Sequence, residues 1–357
     1  MKFDFTQKLL AWNSKQNRRK MPWKGEKDPY RIWLSEIILQ QTRVEQGWDY
    51  YLKFISAFPS VKDLATAPEA KVFKLWEGLG YYSRCRNLIA TAKLIHEEYN
   101  DVFPDTYEAI IGLKGIGPYT AAAIASFAFG LPYPVVDGNV LRVLARIYGI
   151  DKPIDSAKGK KILNELAGKH LSKKLPGIYN QAIMDFGAMV CKPKSPLCNS
   201  CIMKKDCVAF NKGIVSILPV KEKKIKKKNR WFYYYIIRYK NALFIKERQG
   251  NDIWRHLHEF FLLEKLKKMK EEELTMNPEI KPFFDKYGAQ ITDVSGVYKQ
   301  ELTHQTIRGQ FIELSCQSLP AMDKQYRKVD YKDLKKYAFP KFITIYLKEK
   351  NVNLSQH

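Results

Sequence analysis

Residues 113–130 read Leu-Lys-Gly-Ile-Gly-Pro-Tyr-Thr-Ala-Ala-Ala-Ile-Ala-Ser-Phe-Ala-Phe-Gly, and this stretch decides the fold of the N-terminal part of the chain. A helical pattern that ends at Lys114 is followed by Gly115 and Gly117, which let the backbone turn tightly. Pro118 suits the first turn of the alanine-rich helix that comes next. The stretch therefore predicts a helix-hairpin-helix whose bare glycines let backbone N–H groups approach a phosphate. Two glycines that only end a packed helix pair would look the same.

Two carboxylates lie in unusual places near this motif. Asp137 follows two valines downstream of the hairpin and opens the next helical pattern. Glu36 lies in the apolar stretch between Ile32 and Leu39, within a helix predicted to begin at Pro29. Because an unpaired charged carboxylate is costly to bury, the pKa of Glu36 should rise if it faces the core. The alternative is that Glu36 faces water on an amphipathic helix.

Two loops have the residues expected of a nucleic-acid contact. Gln40, Gln41 and Thr42 form a polar turn between helical patterns, and glutamine amides can bond to base edges. The Gly-Leu-Gly-Tyr-Tyr-Ser-Arg loop presents Tyr81 and Tyr82 beside a guanidinium, an arrangement that could stack on or wedge between bases. We expect only one of these two tyrosines to contact a ligand, since the other can belong to the core.

Four of the six cysteines are clustered. Six residues separate Cys191 from Cys198, two separate Cys198 from Cys201, and five separate Cys201 from Cys207. In a reducing compartment such a cluster binds metal more often than it forms disulfides. The single tight pair suits zinc, whereas the wider intervals suit an iron–sulfur cubane, whose four sulfur ligands surround a larger body. The spacing predicts a metal centre rather than four unrelated thiols.

Composition and length limit the class of protein. The 357 residues are enough for two domains, and a formal net charge of +24 predicts a polyanionic partner, with nucleic acid ahead of an anionic membrane. The N-terminus lacks the uninterrupted apolar core of a signal peptide, and no later segment has the apolar length that a membrane span needs. We therefore expect a soluble, cytoplasmic protein.

The residue pattern changes along the chain. Helical periodicity without convincing strands predicts that residues 1–210 form an all-α domain, and the lysine-rich residues 211–230 read as an exposed basic linker. Residues 231–357 are expected to form a separate α+β domain that begins with a hairpin turning at Lys240. Its further predicted elements are a Lys/Glu-rich helix at 262–274, strands at 295–298, 309–315 and 326–329, and a C-terminal helix at 340–350.

Together these motifs resemble those of the endonuclease III superfamily of DNA glycosylases. The helix-hairpin-helix with its downstream aspartate and the Cys-x6-Cys-x2-Cys-x5-Cys loop carry that resemblance. The sequences Ser-Glu36-Ile-Ile-Leu-Gln-Gln-Thr-Arg-Val, Gly-Leu-Gly-Tyr-Tyr-Ser-Arg and Val-Asp137-Gly-Asn-Val are similar to those of its adenine DNA glycosylase branch, the MutY family. Members of that branch remove adenine mispaired with 8-oxoguanine. The resemblance is strong from about residue 4 to the end of the cysteine loop and weak in the C-terminal domain.

The resemblance implies a function in DNA base excision repair. It implies a 4Fe-4S cluster on the four cysteines, and a monomer that binds duplex DNA containing adenine opposite 8-oxoguanine or guanine at the bacterial nucleoid. Glu36 would protonate adenine N7, and Asp137, its pKa kept low by helix N-terminal amides, would stabilise the oxocarbenium ion with help from Asn139 and Tyr119. The positions implied to contact DNA or the extruded base are Lys24, Leu39, Gln40, Gln41, Thr42, Tyr81, Gly115, Gly117 and Gln181.

Tyr119 separates two branches of the superfamily. The bifunctional glycosylase/lyases carry a lysine at this position, and that lysine attacks the sugar and forms a Schiff base. A tyrosine cannot form the imine, so we expect a monofunctional glycosylase that removes the base without efficiently cutting the strand.

The C-terminal domain resembles the Nudix-type module that recognises 8-oxoguanine in this family. It lacks the glutamate-rich Nudix box, so recognition is expected rather than pyrophosphate hydrolysis. Thr303 and His304 are implied to bond to the lesion. The sequence departs from the family at Leu302, where an aromatic residue is usual, and in the segment 253–260, which loses expected glycines.

Three other functions are compatible with parts of the sequence. The first is an endonuclease III-like glycosylase/lyase acting on damaged pyrimidines, and Tyr119 argues against it. The second is a non-catalytic iron–sulfur DNA-binding protein, which would not depend on Glu36 or Asp137. The third is a zinc-dependent regulator, which would be colourless because zinc thiolates do not absorb visible light.

Overall fold

The computed structural model describes residues 3–222 and 227–350. The chain divides into two compact units, of which the first comprises Met1–Thr66 and Arg86–Lys223 and the second Ala67–Cys85 and Lys224–His357. Segment Ala67–Cys85 therefore belongs to the unit that contains the C-terminal sheet. Its helical pattern had predicted that it forms part of the all-α domain of residues 1–210. No helix in the described ranges is long and apolar enough to span a membrane.

The described residues up to 222 are helical, as predicted. In chain order the helices are α1 (Phe5–Gln16), α2 (Pro29–Leu39), α3 (Val44–Ala57), α4 (Val61–Thr66), α5 (Glu69–Trp76), α6 (Tyr82–Tyr99), α7 (Tyr107–Gly112), α8 (Pro118–Phe127), α9 (Gly138–Tyr148), α10 (Ala157–His170), α11 (Pro176–Met189) and α12 (Val208–Asn211). Helix α5 and the start of α6 belong to the second unit. One core of the first unit is built from α1, α9, α10 and α11, and the buried side chains of Trp12, Leu144 and Phe186 lie in it.

The helix-hairpin-helix consists of α7 and α8. Helix α7 ends at Gly112, before the predicted end at Lys114. Gly115 has a φ of +79°, and a Cβ there would lie 2.6 Å from the Cβ of Asn87, so both conformation and space require glycine. Gly117 caps α8, and a Cβ there would have nothing within 4 Å. The space beside Gly117, at the start of α8, is therefore open to a ligand.

Part of the predicted basic linker is folded against the first unit. Leu218 is only 3% exposed, and its carbonyl accepts a hydrogen bond of 2.8 Å from Arg146 Nε. The N–H of Ile154 donates to the carbonyl of Val220 at 3.0 Å. The expectation of an exposed connector was wrong for these residues, because the buried Leu218 side chain and hydrogen bonds to two of their backbone carbonyls hold them in place. Residues 223–226 lie outside the described residues.

The second unit contains one mixed sheet. Its strands are β1 (Lys228–Tyr239), β2 (Ala242–Glu247), β3 (His258–Glu259), β4 (Phe261–Lys265), β5 (Gln290–Val294), β6 (Tyr298–Glu301), β7 (Gln305–Ser315) and β8 (Tyr326–Asp330), and its further helices are α13 (Glu273–Met276), α14 (Lys281–Tyr287) and α15 (Lys341–Glu349). Strand β1 is central: it runs parallel to β7 and antiparallel to β2 and β4. Residues 232–237 of β1 are all buried, as expected for a strand covered on both faces.

Two predicted elements of this unit were wrong. Phe261–Lys265 forms β4 rather than a helix, because its backbone pairs with β1 and Leu263 packs into the core cluster. Residues 295–298 lie largely between β5 and β6, where the Ser295 hydroxyl accepts a hydrogen bond from the N–H of Phe311. The β1–β2 hairpin is confirmed, with Lys240 at a φ of +53° in its turn, and so are the strands β7 and β8 and the C-terminal helix.

Candidate active site

Helix α2 places Glu36 in the protein interior. The side chain of Asp28 caps the helix by accepting a hydrogen bond of 2.9 Å from the N–H of Tyr30, and Pro29 occupies the first turn. Glu36 is 6% exposed, so the water-facing alternative is wrong. Burial raises its pKa to about 7; a hydrogen bond from the Tyr119 hydroxyl lowers it, and the nearby Asp137 raises it further.

Asp137 is held at the N-terminus of α9. Its Oδ1 accepts a hydrogen bond of 2.7 Å from the N–H of Val140, and its Oδ2 accepts one of 2.6 Å from Asn139 Nδ2. The expectation of a lowered pKa was wrong: burial outweighs these bonds, and the pKa of Asp137 is raised from its ordinary value. These hydrogen bonds and the guanidinium of Arg142 lower the pKa of Asp137, but by less than burial raises it. Removal of Asp137 from water therefore shifts its pKa more than the N–H groups at the start of α9 do.

Tyr119 connects the two carboxylates. It lies in the first turn of α8, hydrogen-bonds to Glu36 and interacts electrostatically with Asp137. Burial first, and the two carboxylates next, hold the pKa of its phenol well above 10, so the hydroxyl is a neutral donor. The structure therefore brings Glu36, Tyr119, Asp137 and Asn139 together. The neutral side chain of Tyr119 bonds to Glu36, and that of Asn139 bonds to Asp137.

Two arginines that sequence analysis did not single out hold this site to the cysteine loop. Arg142 donates from Nη2 to Asn139 Oδ1 and to the carbonyl of Gly187, both at 2.8 Å, and from Nε to the carbonyl of Cys191 at 2.8 Å. Arg146 donates to the carbonyl of Lys192 at 2.7 Å. The orientation of Asn139, and through it that of Asp137, thus depends on where the cysteine loop lies.

A signal for these arginines exists in the sequence. They are four residues apart in α9, between apolar residues that face the core, and both are buried in the structure. A buried arginine needs several acceptors. Carbonyl groups of a loop remote in sequence supply them here, and the sequence alone does not show which loop that is.

The four clustered cysteines line one cavity. The other walls of this cavity include Ile147, Phe186 and Met203. Burial raises the pKa of the Cys201 thiol to about 11, so a bound cation is needed to hold it as a thiolate. Among the described residues, no three Cys, His, Asp or Glu side chains converge as ligands of a single metal ion.

The other predicted DNA contacts of the first unit occupy loops and helix ends. Leu39 is the last residue of α2, and Gln40 reaches Thr120 Oγ1 of α8 at 3.4 Å. Gln41 is exposed with a φ of +54°, and the N–H of Thr42 donates to the Leu39 carbonyl at 3.0 Å. This tight turn presents the side chain of Gln41 to solvent.

Lys24 and Gln181 meet at a buried carboxylate that sequence analysis missed. Asp185, on α11, accepts a hydrogen bond of 2.8 Å from Lys24 Nζ and one of 3.0 Å from Gln181 Nε2. The sequence feature that could have identified Asp185 is its position among the apolar residues of a helical segment. Lys24 and Gln181, two of the residues implied to contact DNA or the extruded base, are therefore held by one common partner.

Tyr81, Thr303 and His304 lie in the second unit. Tyr81 is 44% exposed with a φ of +48°, and its hydroxyl is 2.6 Å from Thr303 Oγ1. Tyr82 is buried, so of the two tyrosines only Tyr81 is available to a ligand. His304 is exposed, and its carbonyl accepts a hydrogen bond from the N–H of Lys228 at 3.0 Å. The structure thus places the tyrosine loop beside the predicted lesion-recognition loop.

Comparison with known proteins identifies relatives of this chain. The model of the HhH-GPD superfamily of base excision DNA repair proteins matches residues 34–169. An adenine DNA glycosylase of Buchnera aphidicola subsp. Baizongia pistaciae is 41% identical over 259 residues, which cover 71% of this chain and 72% of that protein. The adenine DNA glycosylase of Homo sapiens is 41% identical over 214 residues, which cover 57% of this chain and 39% of that protein.

Solved structures give the same fold for the helical part. A thermostable thymine-DNA glycosylase matches with a TM-score of 0.54 and 31% identity, over 58% of this chain and 95% of that chain. A trapped endonuclease III–DNA covalent intermediate matches with a TM-score of 0.51 and 20% identity, over 58% and 95% of the two chains, a likeness that shows the fold alone. The sequence identity to the Buchnera protein, sustained over more than two thirds of both chains, shows the family. This chain belongs to the adenine DNA glycosylase family, within the HhH-GPD superfamily of base excision DNA repair proteins.

Proposed function

We propose that this protein is a monofunctional glycosylase that hydrolyses the N-glycosidic bond of adenine opposite 8-oxoguanine or guanine in duplex DNA. The observation that carries the proposal is Glu36, a buried carboxyl with a pKa of about 7, hydrogen-bonded to Tyr119 and near Asp137. A carboxyl with that pKa is protonated often enough near neutral pH to act as a general acid. The bacterial relatives support a cytoplasmic place of action.

The two carboxyl groups have separate roles in the proposed reaction. Glu36 donates its proton to N7 of adenine, which makes the neutral base a leaving group. Asp137, ionised, stabilises the positive charge that develops on the sugar, and its bonds to Val140 and Asn139 hold it in one orientation. Water then adds to the sugar carbon and gives up a proton to the Glu36 carboxylate, which completes the hydrolysis and restores the acid. Adenine must first leave the base stack, at a cost of a few kcal/mol that a mispair reduces.

The absence of an amine at position 119 supports base removal without strand cleavage. The Tyr119 hydroxyl cannot form an imine with the sugar. The test is a single-turnover incubation with a duplex containing adenine opposite 8-oxoguanine, analysed with and without hot alkali. We expect strand breaks only after alkali. Breaks without alkali would reveal lyase activity, and an intact strand after alkali would exclude adenine excision.

The cysteine loop is proposed to hold a 4Fe-4S cluster. Cys191, Cys198, Cys201 and Cys207 would be the ligands, since all four line one apolar cavity. When bound, the cluster supplies positive iron centres that keep the buried thiols deprotonated and fix the loop. Arg142 and Arg146 then have rigid carbonyl partners, which keeps Asn139 in place.

Replacing Cys201 by serine tests this proposal. We expect the variant to lose most of its iron and its visible absorbance, because the Cys201 sulfur lies among the other three thiols of the cavity. Iron content per chain and visible absorbance are the measurements, since thiolate-ligated iron absorbs visible light and zinc does not. Cys85→Ser is the matched control, since Cys85 is buried and does not line that cavity. Stoichiometric zinc without iron in the wild-type protein would contradict the cluster assignment.

We further propose that residues 231–357 form a Nudix-like recognition domain. The contact between Tyr81 and Thr303 supports this, because it joins an exposed aromatic ring to a loop with a hydroxyl and an imidazole. An aromatic ring can stack on a base while the hydroxyl bonds to its edge. The pair would therefore contact the base opposite the extruded adenine.

Replacing Thr303 by valine is expected to reduce the preference for 8-oxoguanine over guanine opposite adenine about fivefold, since a net hydrogen bond contributes about 1 kcal/mol. The measurement is the ratio of single-turnover excision rates on the two duplexes. Thr275→Val is the control, because Thr275 is half-buried and its hydroxyl bonds only within its own turn. An unchanged ratio in Thr303→Val would remove Thr303 from lesion recognition.

A further inference from the structure

A basic groove lies beside the turn between β1 and β2. It has a volume of about 610 Å³, and Arg238, Lys240 and Lys332 supply the cations of its wall. Among the described residues that line the groove, Asp330 is the one acid. Three formal positive charges therefore face one negative charge, a balance that favours an anionic ligand.

Backbone pairing fixes the walls of this groove. Strands β1 and β2 pair as far as Tyr239 and Ala242, and β8 pairs with β2 so that Asp330 lies opposite Ala242. The N–H of Tyr331 donates to the carbonyl of Asn241 at 3.1 Å, which joins the end of β8 to the hairpin turn. The backbone that carries the cations is thus held by three paired strands.

Arg238 is held in place and still has a donor to offer. Its Nη2 lies 3.3 Å from Oε2 of the buried Glu313, and its guanidinium lies over the Tyr331 ring, 5.4 Å from the ring centroid. Within the described part of the chain, Nε of Arg238 is buried and has no hydrogen-bond partner. A buried N–H without an acceptor costs free energy, so a ligand that brings an acceptor oxygen to this nitrogen is stabilised.

Further contacts gather positive charge at the hairpin turn. Lys240 has a φ of +53° in the turn, and its Nζ lies 5.5 Å from the centroid of the Tyr239 ring. Lys328 Nζ, from β8, lies 5.6 Å from the centroid of the same ring. Both ammonium groups are thus drawn to one ring beside the groove, and an anion bound there reduces their mutual repulsion.

The groove is separate from the loop that contains Thr303 and His304. The N–H of Lys228, at the start of β1, donates to the carbonyl of His304. Arg238 follows ten residues later in the same strand, which places it about 33 Å away at the usual rise of about 3.3 Å per residue. A ligand in the groove is therefore distinct from any base that the loop contacts.

We propose that this groove is a binding site for phosphate groups. A phosphate oxygen accepts hydrogen bonds from guanidinium and ammonium donors, and its negative charge is complementary to the lining. Arg238 supplies a fixed donor, while Lys240 and Lys332 act as point charges on flexible stems. The same chemistry is offered by the backbone of a nucleic acid and by a free nucleotide.

Titration of the full chain with pyrophosphate at constant ionic strength tests the proposal. We expect the backbone amide signals of Asn241 and Tyr331 to shift and to saturate in TROSY spectra. Lys240→Gln and Lys332→Gln should each weaken pyrophosphate binding about two- to fivefold, because each removes one exposed charge interaction.

Asp330→Asn should have the opposite effect. It removes the acid from the lining, so pyrophosphate should bind about two- to fivefold more tightly. The fold should not change, because Asp330 is exposed and its side chain does not cap the turn that follows. Tighter binding after the loss of a side chain's charge is a result that damage to the groove would not produce.

Lys281→Gln is the matched control, because Lys281 is exposed at the start of α14 and does not line the groove. Weakening in Lys281→Gln equal to that in Lys332→Gln would show attraction by overall charge alone and would overturn the site. Amide signals of Asn241 and Tyr331 that do not saturate would overturn it as well. So would an Asp330→Asn variant that binds pyrophosphate no more tightly than the wild type.

A fully paired DNA duplex distinguishes the two sources of phosphate. If the duplex displaces pyrophosphate from the groove, the site binds the nucleic acid backbone, and Lys332→Gln should reduce the slope of log K against log salt by about 1. If pyrophosphate stays in place, the site takes a free nucleotide. Either result supports the site, and neither depends on adenine excision, so the proposed glycosylase function can fail or hold independently.

Discussion

Replacing Glu36 by glutamine is expected to lower the single-turnover rate of adenine excision by about 10²–10⁴-fold, the range that general acid catalysis contributes. Glutamine keeps the shape of the side chain and can still bond to Tyr119, but it has no acidic proton for N7. Duplex binding should change little, and a gel-shift or anisotropy titration checks this. The Asp63→Asn variant serves as the activity control. Excision at the wild-type rate would remove Glu36 from the chemistry.

The same assignment predicts a dependence on pH. Glu36 must be protonated to act, and its pKa is raised to about 7, chiefly by burial. The excision rate under saturating enzyme should therefore be high below pH 7 and fall about tenfold per pH unit well above it. A rate that instead rises through this range would assign Glu36 the role of a base.

Glu36 should also make the protein less stable at high pH. Its folded-state pKa lies above the ordinary value of 4.5, so its stabilising contribution is full below about pH 4.5 and is lost as the pH rises through 7. Glutamine does not ionise, so Glu36→Gln should be more stable than the wild type at pH 8, by up to about 3 kcal/mol. Chemical denaturation at pH 5 and pH 8 measures the difference. A variant that is less stable at pH 8 would show that the loss of activity reflects damage to the fold.

Asp137→Asn is expected to lower excision by about 10²–10³-fold, because a neutral amide no longer stabilises the positive sugar. The helix cap survives, since an asparagine oxygen accepts from the N–H of Val140 as the carboxylate does. The introduced NH₂ group cannot accept the bond that Oδ2 takes from Asn139, so we expect the free energy of unfolding to fall by about 1–3 kcal/mol without loss of the fold. Duplex binding close to that of the wild type then separates the chemical role from the structural one. Asp28→Asn, which keeps the cap of α2, is the matched control. Equal turnover in Asp137→Asn and the wild type would contradict the proposed stabilisation of charge.

The raised pKa of Asp137 adds a second pH effect. Asp137 must be ionised in its proposed role, and burial shifts its pKa upward from 3.8. Excision should therefore decline at acid pH as Asp137 gains a proton, which gives a bell-shaped profile together with the decline due to Glu36. The acid limb should disappear in Asp137→Asn, and its persistence there would assign it to another group.

Local patterns in the sequence were enough for the helical fold and, together with the family resemblance, for the identity of the proposed catalytic pair. A few neighbouring residues define the Gly-Ile-Gly-Pro turn, the apolar surroundings of Glu36 and the cap position of Asp137. These features can therefore be recognised in the sequence alone. The spacing of the four cysteines is similarly local. The structure confirms the hairpin, the burial of Glu36 and the grouping of the cysteines around one cavity.

Contacts between residues far apart in sequence decided the rest. The sign of the pKa shift at Asp137 depends on how much of the fold covers it, and desolvation prevailed over the helix terminus. The strand β4 depends on pairing with β1, which overrode a Lys/Glu-rich helical pattern. The bonds of Arg142 to the cysteine loop and of Asp185 to Lys24 join segments that only the folded chain brings together. The sequence determined which residues can do the chemistry, and the tertiary structure decided their protonation and orientation, because both depend on burial and on partners remote in the chain.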